Sequence, residues 1–139
     1  MPTRRLFATC ALCALTGLKA EAVFAQDAPP KPTPGVKRKI LRESEGPVPG
    51  SVTILVEGEI GADAFVARHT HPGIESAYIL EGSGTLSVDG QPDMPITAGE
   101  GYHVAREVPH ALRNGPATMR IVATYVVDKG KPLASPAPG

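Results

Sequence analysis

The sequence predicts an all-β fold, either a sandwich or a small antiparallel barrel. Apolar residues alternate with polar ones over several short windows, which is the period of a β-strand. Glycine, proline and Asp-Gly turn signals separate these windows at short intervals. No window carries the helical period of apolar residues. A series of short strands joined by turns is typical of all-β sandwiches and barrels.

The strands can be placed from this alternation and from the turns between them. The segment from Val36 to Arg42 mixes basic and apolar residues, as expected of an edge strand whose charges discourage pairing with other chains. Ser51 to Ile60 has clear period-two alternation and predicts the next strand. Asp89-Gly90 favours a tight hairpin turn. Further strands are expected over residues 64–69, 76–81, 84–88, 94–97, 102–104, 111–113 and 118–127.

The amino terminus has the pattern of an export signal. Arg4-Arg5 precedes an apolar run, and small residues follow up to Ala25, so residues 1–25 are expected to be a signal peptide cleaved after Ala25. The paired arginines resemble a twin-arginine signal, with an ordinary Sec signal as the alternative. The apolar run is shorter than the roughly 20 residues that span a bilayer, so we expect no membrane anchor in the mature chain. The expected location is periplasmic or secreted.

Composition predicts the charge, the cysteine content and the domain limits of the mature chain. Loss of residues 1–25 removes three of 14 basic and one of 14 acidic residues, which leaves 11 against 13 and a charge of −2. This balance gives no sign of nucleic-acid binding. Both cysteines, Cys10 and Cys13, lie in the signal, so no disulfide is expected. Prolines predict an extended linker over residues 26–35 and a disordered tail over residues 129–139, with one β-domain over residues 36–128 between them.

One stretch groups side chains that bind metals. In a strand, His69 and His71 would face the same side because they are two residues apart. Glu75 can return from the next strand after a Pro-Gly turn, and His110 offers a third imidazole downstream. Imidazole with carboxylate suits a first-row transition ion, and the absence of thiolate argues against a sulfur-rich structural zinc site. A surface loop that carries His-Thr-His by chance is the alternative that spacing leaves open.

These residues resemble the two sequence motifs of the cupin family, whose small β-barrels carry a metal at the barrel mouth. The resemblance covers about residues 36–127 and implies a double-stranded β-helix, or jelly-roll, barrel. It also implies one divalent transition metal with two coordination positions open to water, substrate or dioxygen. The implied metal ligands are His69, His71, Glu75 and His110. The first motif is matched at Gly61, His69, His71, Glu75 and Gly82, and the second at Gly99, His110 and Asn114.

The twin-arginine signal bears on which metal is bound. Proteins exported by that route are already folded, so a metal can be inserted in the cytoplasm. A weakly held ion then escapes competition from copper and zinc, which bind such sites more strongly. Iron or manganese is therefore favoured, with zinc, nickel, copper and cobalt as alternatives.

The sequence departs from the cupin pattern in two places. Seven residues instead of the usual five separate Gly61 from His69. In the second motif, Ala105 and Glu107 replace the family's proline and glycine, so a different turn or some backbone strain is expected at Glu107. One hypothesis places Glu107 at the rim of the site as a second catalytic carboxylate beside Glu75. The alternative is a solvated loop glutamate.

Strand parity predicts which side chains line a ligand pocket around the metal. Counting in steps of two from His69, Glu75 and His110 selects inward-facing residues on three strands. Tyr102 and His103 are neighbours in one strand, so only one of them can face the barrel. A bulge in any strand would reverse the parity beyond it. The predicted pocket residues are Phe65, Ala67, Ala77, Ile79, Tyr102 and Leu112.

Three functions fit these features. The cupin resemblance implies a metal-dependent dioxygenase of the kind seen in quercetinase-like cupins, acting on a small phenolic or enolisable substrate. The second is a non-catalytic module that binds a small ligand or metal in the periplasm. The third is a metal-dependent isomerase or lyase that polarises a carbonyl group. Cupin barrels commonly pair through strand edges, so a homodimer is expected, with Val36 to Arg42 as the candidate for exchange between subunits.

Overall fold

The structure of the protein is a computed structural model that describes residues 33–138. The predicted signal peptide and the first part of the proline-rich linker lie outside the described residues. Within them the chain forms ten strands and no helix. The strands are β1 (Val36–Glu45), β2 (Ser51–Ile60), β3 (Phe65–Thr70), β4 (Gly73–Glu81), β5 (Ser83–Val88), β6 (Met94–Thr97), β7 (Gly101–Val104), β8 (His110–Asn114), β9 (Met119–Asp128) and β10 (Ser135–Pro136).

The strands form two five-stranded sheets. The order in the first sheet is β1-β2-β9-β4-β7, and the order in the second is β10-β3-β8-β5-β6. Every pairing is antiparallel. The predicted all-β antiparallel barrel is confirmed. The described part of the chain contains no helix long and apolar enough to cross a membrane.

Alternating burial along the strands builds the core between the sheets. In β2, Val52, Ile54 and Val56 are buried, whereas the residues between them are only partly covered. Ile79 and Leu86 are fully buried at 0% and 1% exposure. Burial of one such side chain stabilises the fold by about 1.5–3 kcal/mol. The apolar residues of the period-two sequence pattern therefore form the inner face of each sheet.

The carboxyl-terminal segment corrects one prediction. Residues 129–139 were expected to form a disordered tail because of their prolines, yet Ser135 and Pro136 pair with Thr70 and His69 as the edge strand β10. The Ala137 N–H donates to the Arg68 carbonyl at 3.1 Å. Proline is tolerated at a sheet edge, where its missing N–H faces away from the ladder. The disorder prediction is thus wrong for the described part of the tail.

Candidate metal centre

Four side chains from both sheets meet at one end of the barrel. His69 lies in β3 and His110 opens β8, and the two residues are directly paired across these strands. His71 lies between β3 and β4, and Glu75 is in β4. One potential ligand atom from each of the four lies within 4.8 Å of all the others. The structure therefore brings together the four residues that the motif selects.

A bulge in β3 turns His69 toward this point. Val66 pairs with Leu112 and His69 pairs with His110, so two residues of β3 between these pairs oppose a single residue of β8. Val66 is buried as a result, whereas Phe65 and Ala67 are exposed. The prediction that Phe65 and Ala67 line the pocket is wrong, because parity counted back from His69 reverses at the bulge. Phe65 instead packs on the outside under the Arg113 guanidinium, 5.1 Å from its ring centre.

Each imidazole is held in place through its Nδ1 atom. Nδ1–H of His69 donates to the Ala67 carbonyl at 2.7 Å, and that of His110 donates to the Val108 carbonyl at 3.0 Å. His71 Nδ1 contacts the Leu133 carbonyl at 2.5 Å. A carbonyl can only accept, so Nδ1 carries the proton and Nε2 keeps a lone pair. This is the outer hydrogen bond that orients histidine ligands in metal sites.

The Nε2 atoms and the Glu75 carboxylate together form a site that attracts a cation. Oε2 of Glu75 lies 3.1 Å from Nε2 of His71 and 3.1 Å from Nε2 of His110. With the protons on Nδ1, lone pairs face a carboxylate oxygen in a buried space. Nε2 of His71 has no hydrogen-bond donor or acceptor among residues 33–138. A divalent ion among these atoms would satisfy all of them, so the residues present fit a metal.

The second oxygen of Glu75 is held by two tyrosines. The hydroxyl of Tyr102 donates to Oε1 at 3.1 Å, and that of Tyr125 donates to the same atom at 3.0 Å. Glu75 pairs with Tyr125 across β4 and β9, while Tyr102 is on the neighbouring strand β7. The carboxylate is thus fixed at both oxygens. Sequence reasoning missed Tyr125, because alternation cannot tell which strand lies beside β4.

Burial and neighbouring charge set the protonation states here. Burial alone would raise the pKa of Glu75, but contacts with His110 and His71 outweigh it and hold that pKa well below its usual range. Burial lowers the pKa of His69 to about 4. Burial and the nearby Glu75 charge raise the pKa of Tyr102 and of Tyr125. At neutral pH the site holds an ionised carboxylate, a neutral His69 ring and two protonated hydroxyls.

A small cavity of about 40 Å³ adjoins three of the four ligands, His69, Glu75 and His110, inside the barrel. Its wall includes Val66 and the predicted residues Tyr102 and Leu112, and it also includes Arg38 of β1, which sequence reasoning missed. Ala77 and Ile79 face inward as predicted by parity but lie in the packed core. Enclosed pockets for drug-sized ligands have roughly 300–1,000 Å³. The enclosed space therefore suits a small ligand.

Glu107 and His103 lie outside this cavity wall. Glu107 has a φ of 57°, the backbone conformation expected where the motif normally has glycine. Its side chain is exposed, and its N–H donates to the His71 carbonyl at 3.0 Å. His103 is also exposed and contacts the Ser76 hydroxyl at 3.1 Å. Glu107 thus supports the site through its backbone, which agrees with the solvated-loop alternative for its carboxylate.

Two motif residues have structural roles. Nδ2 of the buried Asn114 lies 2.7–2.9 Å from three carbonyl oxygens, those of Ile60, Gly61 and Ala117. These contacts tie the end of β8 to the end of β2. Gly82 has a φ of 86°, and an added Cβ would lie 2.8 Å from the Met119 Cα. Only glycine fits there without moving the backbone.

Comparisons with known proteins agree with this architecture. The family model described as a cupin domain matches residues 52–125. No curated protein matches the sequence at a significant level. The match includes all four candidate metal ligands and excludes β1, which supplies Arg38.

Several solved structures share the fold at low sequence identity. A conserved protein with a double-stranded beta-helix domain from Klebsiella pneumoniae has a TM-score of 0.63 and 17% identity, over 78% of this chain and 90% of that one. An RmlC-like cupin from Shewanella frigidimarina has a TM-score of 0.60 and 21% identity, over 76% and 86%. The DMSP lyase DddQ from Ruegeria pomeroyi has a TM-score of 0.59 and 18% identity, over 68% of this chain but only 44% of the lyase. At these identities the likeness concerns the fold alone.

Proposed function

Because this chain belongs to the cupin family, we propose that it is a metal-dependent enzyme for a small enolisable substrate. The proposal rests on one observation above all. Three imidazoles are anchored through Nδ1 and one carboxylate is anchored by tyrosines, and the lone-pair atoms that could bind a metal lie close together. His69, His71, Glu75 and His110 would hold one divalent ion there, and iron or manganese suits the donor set and a cytoplasmic loading route.

The ion would supply Lewis-acid polarisation of a bound substrate oxygen. The protein's own contribution is a set of neutral donors beside that point. Tyr102 lines the cavity with a buried hydroxyl that stays protonated at neutral pH. If this O–H turns away from Glu75, which Tyr125 would still hold, it can stabilise negative charge as it develops on an enolate or phenolate oxygen. The apolar wall formed by Val66, Leu86 and Leu112 excludes water from this space.

Glu75 is better suited to holding the ion than to moving a proton. Both of its oxygens are engaged, and its pKa lies well below the usual range. A carboxylate of this kind is a poor general base near neutral pH. We therefore assign Glu75 to the metal and Tyr102 to the substrate, with Tyr125 as the residue that positions Glu75.

Dioxygenation of a small phenol or enol is the first reaction class, since four protein ligands leave two positions of an octahedral shell. The small cavity favours a compact substrate over a polycyclic flavonol. Isomerisation or elimination is the second class, and the Tyr102 hydroxyl beside the ligands favours it as a hydrogen-bond donor to a polarised carbonyl oxygen. Among structures with the same fold are proteins described as DMSP lyases. A binding module without turnover is the third candidate, supported by the engagement of both oxygens of Glu75, the one carboxylate among the described residues of the cavity wall.

Metal content is the first test of the proposal. Protein purified from its exporting host should contain about one transition ion per chain by elemental analysis. His110→Ala should abolish this binding, because it removes one of the four donors. His103→Ala is the matched control, since His103 is exposed and its one side-chain hydrogen bond within residues 33–138 is with Ser76. Equal metal content in the His110 variant and the wild type would refute the assigned centre.

Turnover is the second test. Iron- or manganese-loaded protein is mixed with small phenols, diketones and keto acids, and dioxygen uptake is recorded. Oxygen-dependent product indicates a dioxygenase, whereas product formed without oxygen indicates an isomerase or lyase. Tight binding without product under either condition would leave the binding module and reject the enzyme.

Export and assembly complete the proposal. We propose that residues 1–25 direct the protein to the periplasm and that the mature chain forms a homodimer. Exposed Ile40 (58%) and Leu41 (42%) on the edge strand β1 support such an interface. Cell fractionation tests the location. Sedimentation of the wild type and of an Ile40→Glu variant tests the dimer, which should dissociate in the variant.

A further inference from the structure

Arg38 is the one charged residue of β1 in the wall of the metal-site cavity. It pairs with Gly58 of β2, so the two residues face the same side of the sheet, and Val36 and Ile60 face that side as well. Gly58 and Ile60 line the same cavity. Arg38 itself is exposed, in contrast to the buried His110 and Glu75 at the inner end. Arg38 therefore lies where the cavity reaches solvent.

The guanidinium of Arg38 has no charged partner in the described part of the chain. The neighbouring Lys37 pairs with Glu59 at 2.7 Å on the outer face. Arg106 and Arg120 are likewise paired, with Asp128 and Glu57. Among residues 33–138, no salt bridge or side-chain hydrogen bond involves Arg38. One cation without an ion-pair partner among the described residues thus lies at the mouth of a cavity whose inner end carries Glu75, His69 and His110.

The residue opposite Arg38 is Gly58, whose lack of a side chain lets Ile121 of β9 pack closely against it. A Cβ placed on Gly58 would lie 2.9 Å from Cγ1 of Ile121, which also lines the cavity. Any larger residue at position 58 would therefore crowd the wall beneath the guanidinium. With glycine there, Ile121 keeps its place in the wall of the cavity that Arg38 shares with His69, Glu75 and His110. The register of β1 and β2 thus places the Arg38 cation beside a residue that has no side chain.

We infer that Arg38 recognises the carboxylate of a small acid whose other oxygen reaches the metal centre. This inference rests on the proposed function and names its substrate class, a small carboxylic acid with a carbonyl or enol oxygen. The planar guanidinium matches the two oxygens of a carboxylate and binds them in a forked geometry. Because the cavity is small, a compact acid can contact Arg38 and the ligands together. Arg38 is then a specificity-determining residue.

The test measures binding to cobalt-loaded protein, because cobalt gives an absorption spectrum that reports ligands at the metal. Pyruvate and malonate serve as acids, and their uncharged methyl esters serve as matched probes. Calorimetry gives the Kd of each for the wild type, Arg38→Gln and Arg38→Lys. Arg42→Gln is the control, because Arg42 pairs with Leu55 and has the opposite orientation on β1.

The expected result is at least about a tenfold weaker Kd for the acids in Arg38→Gln, as for loss of a charge-assisted hydrogen bond. The esters should bind with unchanged affinity, and Arg42→Gln should behave as the wild type. Arg38→Lys should restore part of the affinity. Unchanged acid binding in Arg38→Gln, with the cobalt spectrum still responding, would overturn the inference and leave the proposed function standing. Failure of acids and esters alike to bind the loaded wild type would overturn both.

Discussion

Deletion of residues 131–139 is expected to weaken metal binding although this segment supplies no ligand atom. The Leu133 carbonyl contacts Nδ1 of His71, and Pro136 pairs with His69. Without the segment, the His71 ring loses the partner that fixes its orientation and its proton. Loss of such an outer hydrogen bond typically lowers metal affinity by about 10- to 100-fold. This corresponds to about 1.4–2.8 kcal/mol of binding free energy.

Competition with a chromophoric chelator measures this affinity directly. The deleted segment is mostly exposed, so the metal-free variant should keep its cooperative unfolding and lose little stability. Leu133→Ala is the matched control, because it removes the side chain that packs near Tyr125 and keeps the carbonyl. Its metal affinity should stay close to that of the wild type. If the shortened protein bound metal as tightly as the full chain, the assigned role of the Leu133 carbonyl would be refuted.

Three further outcomes follow from the site and the core. Tyr125→Phe removes one hydrogen-bond donor from the ionised Glu75 carboxylate, so the pKa of Glu75 should rise. Protons then displace the metal at a higher pH than in the wild type, which chelator titrations at a series of pH values would record. Glu107→Gly relieves a positive φ and should stabilise the protein to urea by up to about 1 kcal/mol, with metal affinity unchanged. A loss of metal affinity would restore a direct role for the Glu107 carboxylate. Ile79→Ala should destabilise the protein by about 2–5 kcal/mol, because the Ile79 side chain is 0% exposed. A small change in the free energy of unfolding in urea would contradict the close packing of Ile79 in the core.

The barrel was predictable because alternation of apolar residues is a local property. β2 and β6 begin and end at the residues expected from the sequence, and the other strands differ at their ends. The metal ligands could also be predicted, because the spacing of His69, His71, Glu75 and His110 follows a known motif. The structure brings these four residues together. Both kinds of information are carried by residue type and position along the chain.

What escaped prediction depends on contacts between distant segments. The bulge between Val66 and His69 leaves no mark in the sequence, and it reversed the assignment of Phe65 and Ala67. Arg38 and Tyr125 reach the site through the registers of β1 with β2 and of β4 with β9. The prediction of a disordered tail was also wrong, because the prolines of the tail are compatible with a sheet edge as well as with disorder.

The two layers of the barrel contribute ligands to the same point. Glu75 comes from the first sheet, whereas His69 and His110 come from the second. A bound ion would therefore cross-link the two sheets of residues 33–138, which contain no cysteine to do so. At a free metal concentration 100 times the Kd, such binding stabilises the folded state by about 2.7 kcal/mol. The melting temperature of the protein should then rise and fall with the metal supply of its surroundings.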